Sequence, residues 1–337
     1  MAAKTNVGII GLGRLGTLYA SYLQARIRQA TLLAVSDVRE AVAETFAQQN
    51  NVPKWFKDYR DLLTDKAIDS VVVVTPTRTH KEIVIEAVRH GKAVFCEKPL
   101  SLSLDEAAAI SSAIEQSGAF FQMGFMRRFD KGYVAAKRKI CEGLIGNPVV
   151  FKSSSRDPFR PSLEYLEHSG GLITDCGIHD IDLARWYFGE VRRVHSIGGT
   201  LAYPEINELG DVDNAITTLQ FESGALGVID MSRSGIYGYD IRTEILGTKG
   251  TLQIGYLRET PLKVLTKSGV THDAVPYFME RFEQAYITQL ENFAESVTRG
   301  EPPAVTCADG VEALRISLAA TLSLKEGHPV GVRDGVR

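Results

Sequence analysis

Residues 173–182 read ITDCGIHDID. Three aspartates, a histidine and a cysteine stand there in an otherwise apolar stretch, and burying so many polar groups costs free energy unless they are paired or used. Three uses suit these residue types: a metal site, a proton-transfer site, or a capped helix of the core. If the segment is helical, Asp175 and His179 stand at i and i+4 and share a face with Asp182, whereas Cys176 points about 100° away from Asp175. Two ligands on one face do not hold zinc without a third and a fourth. No second cluster of His, Cys or carboxylate offers itself in the sequence, so no metal is expected. A carboxylate one turn from a histidine does suit proton transfer, because imidazole titrates near neutrality and a neighbouring carboxylate orients it. Asp180 and Asp182 read as structural, one solvated and the other bonded to nearby backbone.

A second group of residues suits a nucleotide. Gly11-Leu12-Gly13-Arg14-Leu15-Gly16 follows the strand-like VGII and opens the helix-like RLGTLYASYL, and Asp37 ends the next strand. In that context glycines allow a tight turn and close approach of a pyrophosphate, the helix N-terminus faces its charge, and the carboxylate holds the adenosine ribose. Gly11, Gly13, Arg14, Leu15, Gly16 and Asp37 are therefore candidate cofactor residues. Asp37 favours NAD over NADP, because a 2'-phosphate would meet a fixed negative charge. Arg39 reads either as a partner for the adenine or a 2'-phosphate, or as a solvated residue of the next helix.

Two further stretches end strands at the edge where such sheets bind ligands. Thr75, Pro76, Thr77 and His80 lie in VTPTRTH, where a threonine can also cap the following helix and the histidine can equally be a satisfied core residue. Glu97 and Lys98 lie in CEKP. Proline disfavours the α region for its predecessor, so Lys98 cannot run on into a helix and its ammonium stays near the cofactor cleft or in an exposed turn.

The elements that must carry these residues change character along the chain. Runs at VGII, LLAVS, VVVV and AVFC are apolar throughout and alternate with helical patterns such as REAVAETFAQQ and THKEIVIEAVRHG, which predicts parallel strands covered on both faces in a doubly wound α/β domain. After FFQMGF and the helical KGYVAAKRKICEGLIG, a long helix over GGLITDCGIHDIDLARWYFG is followed by VRRVHSIGG, AITTLQFES, ALGVIDMSRS, DIRTEILG and TLQIG, a largely antiparallel sheet. Helices at 278–297 and 310–324 close the chain. The expected domains are 1–124, binding the dinucleotide, and 125–337, an α+β domain for substrate and oligomerisation, with the last helices free to pack back on the first.

Composition narrows the partners. With 38 basic and 41 acidic residues and a net charge of -3, nothing marks a nucleic-acid or anionic-membrane binder. No apolar run approaches the roughly 20 residues of a membrane-spanning helix. Cys96, Cys141, Cys176 and Cys307 are widely separated and MAAKTNVGIIGLG has no secretory pattern, which predicts reduced thiols in a cytoplasmic protein.

Taken together, VGIIGLGRLG, VVVVTPTRTH, AVFCEKPL, GFMRRFD and GG-x-x-x-D-x-G-x-H-D-x-D resemble the Gfo/Idh/MocA oxidoreductase family, and MGFMRRFDKGYVAAK with IHDIDLARWYFG resembles its inositol 2-dehydrogenase branch. The resemblance implies a Rossmann domain, an open, mostly antiparallel sheet domain that often assembles into tetramers, and Lys98, Asp175 and His179 as catalytic residues. It also implies that Arg128 and the YGYD segment, with Tyr237 and Tyr239, meet the hydroxyls of a polyol; residue chemistry adds Asp157. The residues PFRPSLEYLEH lie where the branch varies, leaving the preferred stereoisomer open. The expected activity is NAD-dependent oxidation of an inositol. The rivals are a sugar or aldose oxidoreductase of the same family and a non-catalytic NAD-binding sensor or co-repressor.

Overall fold

The computed structural model describes residues 4–255 and 262–333. In chain order the elements are β1 Thr5–Ile10, α1 Arg14–Ala25, β2 Ala30–Ser36, α2 Glu40–Asn50, β3 Lys54–Phe56, α3 Tyr59–Thr64, β4 Ser70–Val73, α4 His80–Arg89, β5 Ala93–Glu97, α5 Leu104–Ser117 and β6 Phe121–Gly124. Then follow α6 Lys131–Cys141, β7 Pro148–Arg156, α7 Leu163–Glu167, α8 Ile178–Phe188, β8 Val191–Gly199, β9 Asn214–Phe221, β10 Leu226–Ser232, β11 Asp240–Gly247 and β12 Thr251–Ile254. The last elements are β13 Val264–Thr266, β14 Gly269–Thr271, α9 Phe278–Arg299, α10 Cys307–Glu326 and β15 Val330–Gly331.

Two compact units result. One runs to Met126 and includes Gln284–Leu314; the other comprises Arg127–Glu283 and resumes at Arg315.

In the first unit six parallel strands lie in the order β3-β2-β1-β4-β5-β6. The order reverses between β1 and β4, the switch point at whose carboxyl end open α/β sheets take their ligands. Val71, Val72, Val73, Val94 and Phe95 are fully buried, as an apolar run flanked by helices on both faces requires. Short β3, whose KWF is only half-buried, gave no apolar run in the sequence.

In the second unit seven strands form a mixed sheet in the order β12-β11-β7-β10-β9-β8-β15, antiparallel except where β7 and β10 run parallel. The fold class is therefore the expected one, a parallel Rossmann sheet plus a mostly antiparallel α+β domain. Strand β7, near the middle of its sheet, was not expected: its FKSSSR end reads as a polar loop, yet Ser153 and Ser155 alternate inward and are buried.

The long helix expected over residues 170–189 is helical from 171 to 188, but Ile173–Gly177 form a π-helical turn. Gly177 lies so close to β10 that a Cβ there would sit 2.5 Å from the Met231 sulfur. Such π turns concentrate at functional sites.

Candidate functional site

The nucleotide half lies in the first unit. Gly11 has φ +97°, a left-handed backbone suited to glycine, and a Cβ there would meet the Val74 carbonyl oxygen at 2.7 Å. A Cβ on Gly16 would sit 1.9 Å from the Gly11 carbonyl oxygen, whereas one on Gly13 would face open space. The first and third glycines thus close the turn and seat α1, and the middle one leaves the approach to the helix start clear. Arg14 and Leu15 are the first two residues of α1, where backbone N–H groups lack intrahelical acceptors. This cradle fits a pyrophosphate.

Asp37 is 7% exposed, and its carboxylate is engaged on both oxygens. Oδ2 accepts the Leu12 N–H at 2.9 Å and Arg39 Nη2 at 3.2 Å; Oδ1 accepts the Arg39 N–H at 2.9 Å and Nε at 3.0 Å. Burial works against the charge, but these donors hold the carboxyl below its ordinary value. The Arg39 side chain is 62% exposed, so its contacts are the exchangeable ones.

His80 is 1% exposed, with Nδ1 2.9 Å from the Pro99 carbonyl and Nε2 3.0 Å from the Thr75 carbonyl. It ties the loop after β4 to the loop after β5. Burial, opposed by those carbonyls, holds its pKa down. The expectation that His80 touches the cofactor gives way to a brace, because both ring nitrogens are engaged with backbone. Thr79 donates its hydroxyl to the Pro76 carbonyl at 2.8 Å and can accept the Thr75 hydroxyl at the same distance, and the loop Thr75, Pro76, Thr77 keeps its partial exposure. Glu97 is likewise turned inward: it is 6% exposed, and its pKa is raised by burial. Lys98, half-buried, follows β5 directly.

The second unit carries the aspartate–histidine segment. Asp175 stands in the π turn and His179 in the first turn of α8, 7% and 8% exposed. Asp175 Oδ1 accepts the Tyr165 hydroxyl at 2.9 Å, and Oδ2 accepts Arg233 Nη2 at 3.1 Å. The Asp175 carboxylate raises the Tyr165 pKa, with burial adding to it. Arg233 is fully buried; burial works against its charge, but Cys176, Asp175 and Asp157 outweigh that and hold it cationic. Cys176 donates its thiol to Asp157 Oδ2 at 3.2 Å, so Asp157 does come to this segment.

Neither Asp180 nor Asp182 is solvated. Asp180 accepts Arg127 Nη1 at 2.8 Å and Ser155 Oγ at 2.6 Å, and Asp182 takes Arg128 through Nε at 2.9 Å and Nη2 at 2.6 Å. Arg128 also lies over the Trp186 ring at 5.6 Å. The ion pair with Asp182 braces α8 and fixes where the Arg128 guanidinium lies. Tyr239 is 8% exposed, as His179 is, and its ring packs edge-on against Tyr277 and Phe282. Tyr237 is 57% exposed and donates to Asp240 at 2.8 Å. Among the described residues no group of three or more His, Cys, Asp or Glu is arranged to hold a metal.

Two family descriptions match the chain: "Oxidoreductase family, NAD-binding Rossmann fold" over residues 5–125, and "Oxidoreductase family, C-terminal alpha/beta domain" over 137–332. The chain belongs to the Gfo/Idh/MocA oxidoreductase family. Among curated members it is 42% identical to the scyllo-inositol 2-dehydrogenase (NAD(+)) of Bacillus subtilis, over 98% of this chain and 97% of that one. It is 41% identical to the myo-inositol 2-dehydrogenase of Thermotoga maritima, over 97% and 98%. A solved member, the scyllo-inositol dehydrogenase of Lactobacillus casei with bound NAD(H) and scyllo-inositol, superposes with a TM-score of 0.94 at 32% identity, covering 98% of this chain and all of that one.

Within this family frame, two residues of the Asp175 cluster had no part in the sequence reading. Tyr165 lies in the segment set aside as variable. Arg233 lies just past an apolar strand, and a charged residue in that position was the available signal that something buried must pair with it.

Proposed function

We propose that this protein oxidises a secondary hydroxyl of an inositol, myo- or scyllo-, to the corresponding inosose with NAD. The observation that carries the reading is Asp175, held on both oxygens by Tyr165 and Arg233, one turn before His179 at the start of α8. Fixed in this way, Asp175 can orient a base without itself wandering. The inositol 2-dehydrogenases among the relatives support the substrate class, and the NAD(+)-dependent and NAD(H)-bound members support the cofactor.

When bound, NAD supplies the hydride acceptor. Gly11, Gly13 and Gly16, the start of α1, Asp37 and the Thr75–Thr77 loop hold it. His179 takes the hydroxyl proton as the carbon gives up its hydride, and Asp175 stabilises the imidazolium that forms. Lys98 donates to the same oxygen as alkoxide character grows. Arg128, Asp157, Tyr237 and Tyr239 are the candidates for the other hydroxyls. The use of NAD and four cysteines without a disulfide favour a cytoplasmic enzyme. The open face of the second sheet favours a homotetramer.

The test is NADH absorbance with myo-inositol, scyllo-inositol, chiro-inositol, glucose and xylose. An inositol should give the highest kcat/KM, with NAD ahead of NADP, and Asp37→Ser should narrow that cofactor gap by relieving repulsion of the 2'-phosphate. Preference for glucose or xylose would transfer the assignment to a sugar oxidoreductase. Tight NAD binding with no turnover of any of the five would favour a sensor.

A further inference from the structure

Two buried polar side chains, Tyr19 and Gln289, converge on Glu97, the residue before Lys98. Glu97 ends β5 with its carboxyl against the bare Cα of Gly124, where a Cβ would lie 2.9 Å from Oε1. Tyr19, fully buried on α1, hydrogen-bonds through its hydroxyl to Glu97 Oε1. Gln289, fully buried on α9, donates Nε2 to the Tyr19 oxygen at 2.6 Å, and its backbone carbonyl accepts from Gln122 Nε2 at 3.2 Å. An amide N–H only donates, so the Tyr19 proton is directed at Glu97. The other carboxylate oxygen accepts the Lys98 backbone N–H at 3.1 Å.

We propose that Tyr19 and Gln289 are positioning residues which, through Glu97, fix Lys98 at the end of β5 for its part in the reaction. A fold that needed only to fill this space would do so more cheaply with apolar side chains, since a buried carboxylate must recover its hydration from the donors around it. Here the carboxylate receives one donor from α1 and one from Lys98 itself. The arrangement links the helix that opens at the glycine turn to the strand end that carries the lysine. Burial raises the pKa of Glu97 and, with Glu97 beside it, of Tyr19, which is the cost the arrangement carries.

The inference rests on the role given to Lys98 above, and the experiment separates the two. Full-length wild type, Lys98→Met, Tyr19→Phe and Glu97→Gln are compared by NAD titration, thermal melting, turnover of inositol, and the primary isotope effect with substrate deuterated at the oxidised carbon. Tyr19→Phe removes one hydroxyl and keeps the ring. It should leave the NAD Kd within about twofold and lower kcat about tenfold, less than the roughly hundredfold that misplacing a reacting group can cost. The isotope effect on kcat should rise, because hydride transfer becomes more rate-limiting. Glu97→Gln should show the same pattern more strongly. If Lys98→Met is slow while Tyr19→Phe and Glu97→Gln turn over normally, the positioning inference alone falls. If their activity declines only in step with NAD affinity and melting, with no change in isotope effect, the cluster is a structural brace and the inference falls likewise. Normal turnover by Lys98→Met would overturn the role of Lys98 and this inference with it.

Discussion

His179 and the aspartates around it should respond differently to removal. His179→Ala should lower kcat roughly 100-fold or more, the usual scale for a lost general base, while melting temperature and NAD affinity stay close to wild type. Turnover at the wild-type rate would assign the proton to another group, and an unfolded variant would make the histidine structural. Asp180 offers the contrast, because it is fully buried between Arg127 and Ser155, and removing one side of such a pair typically costs about 3–5 kcal/mol. At this scale the sequence was most legible where chemistry depends on neighbours along the chain: Gly11, Gly13 and Gly16 at their turn, or Asp175 four residues before His179. It was least legible where the partner is remote. Arg128 finds Asp182 across 54 residues and Arg233 finds Asp175 across 58, so nothing local marks Arg128 as a brace or Arg233 as a neighbour of the proton-transfer pair.

Elements were legible in proportion to how strongly their apolar pattern repeats. Strands β4 and β5 and helix α9 carry patterns that only a buried strand or a one-sided helix explains, whereas β7 takes its place through register, with Ser153 and Ser155 turned inward opposite Ile229 and Met231 of β10. The π turn was hidden for a similar reason, since it depends on how closely Gly177 approaches β10. The loops after β4 and β5 are joined by His80, and this junction should report on pH. Burial holds the imidazole pKa below its unfolded value of about 6.5, so between those two values the unfolded chain binds a proton that the folded chain refuses. The stability this group contributes is therefore full above about pH 6.5 and is lost as pH falls toward the folded pKa. Melting temperature should drop between pH 7 and 5 in wild type and drop less steeply in His80→Gln, which keeps one donor for a carbonyl. Equal slopes would show that other groups govern the acid limb.

For the whole molecule, the second sheet poses the remaining question. One of its faces carries Phe151, Leu219, Ile229 and Met231, all buried, and α8 lies on that side with Phe188 against Phe151 and Phe221. The other face presents Ile197, Ile216, Leu226 and Leu246 at 60%, 42%, 55% and 40% exposure. Ile197 sits directly opposite Ile216, and Leu226 and Leu246 flank Val150 from either side. Between these apolar positions lie charged groups that pair within the face, Lys152 with Glu244 and Arg156 with Asp230. A broad sheet face of this mixed kind suits a self-complementary contact between copies, in which apolar positions meet and the charges between them stay paired within each copy. Light scattering at micromolar concentration should therefore give a mass well above one chain, most simply four times it. Ile216→Lys places a charge in the apolar row without touching the buried face, so it should shift the mass toward smaller species while far-ultraviolet circular dichroism stays unchanged. A wild-type protein that remains a monomer at that concentration would remove the assembly from this reading, and a variant that still assembles as wild type would place the contact elsewhere on the surface.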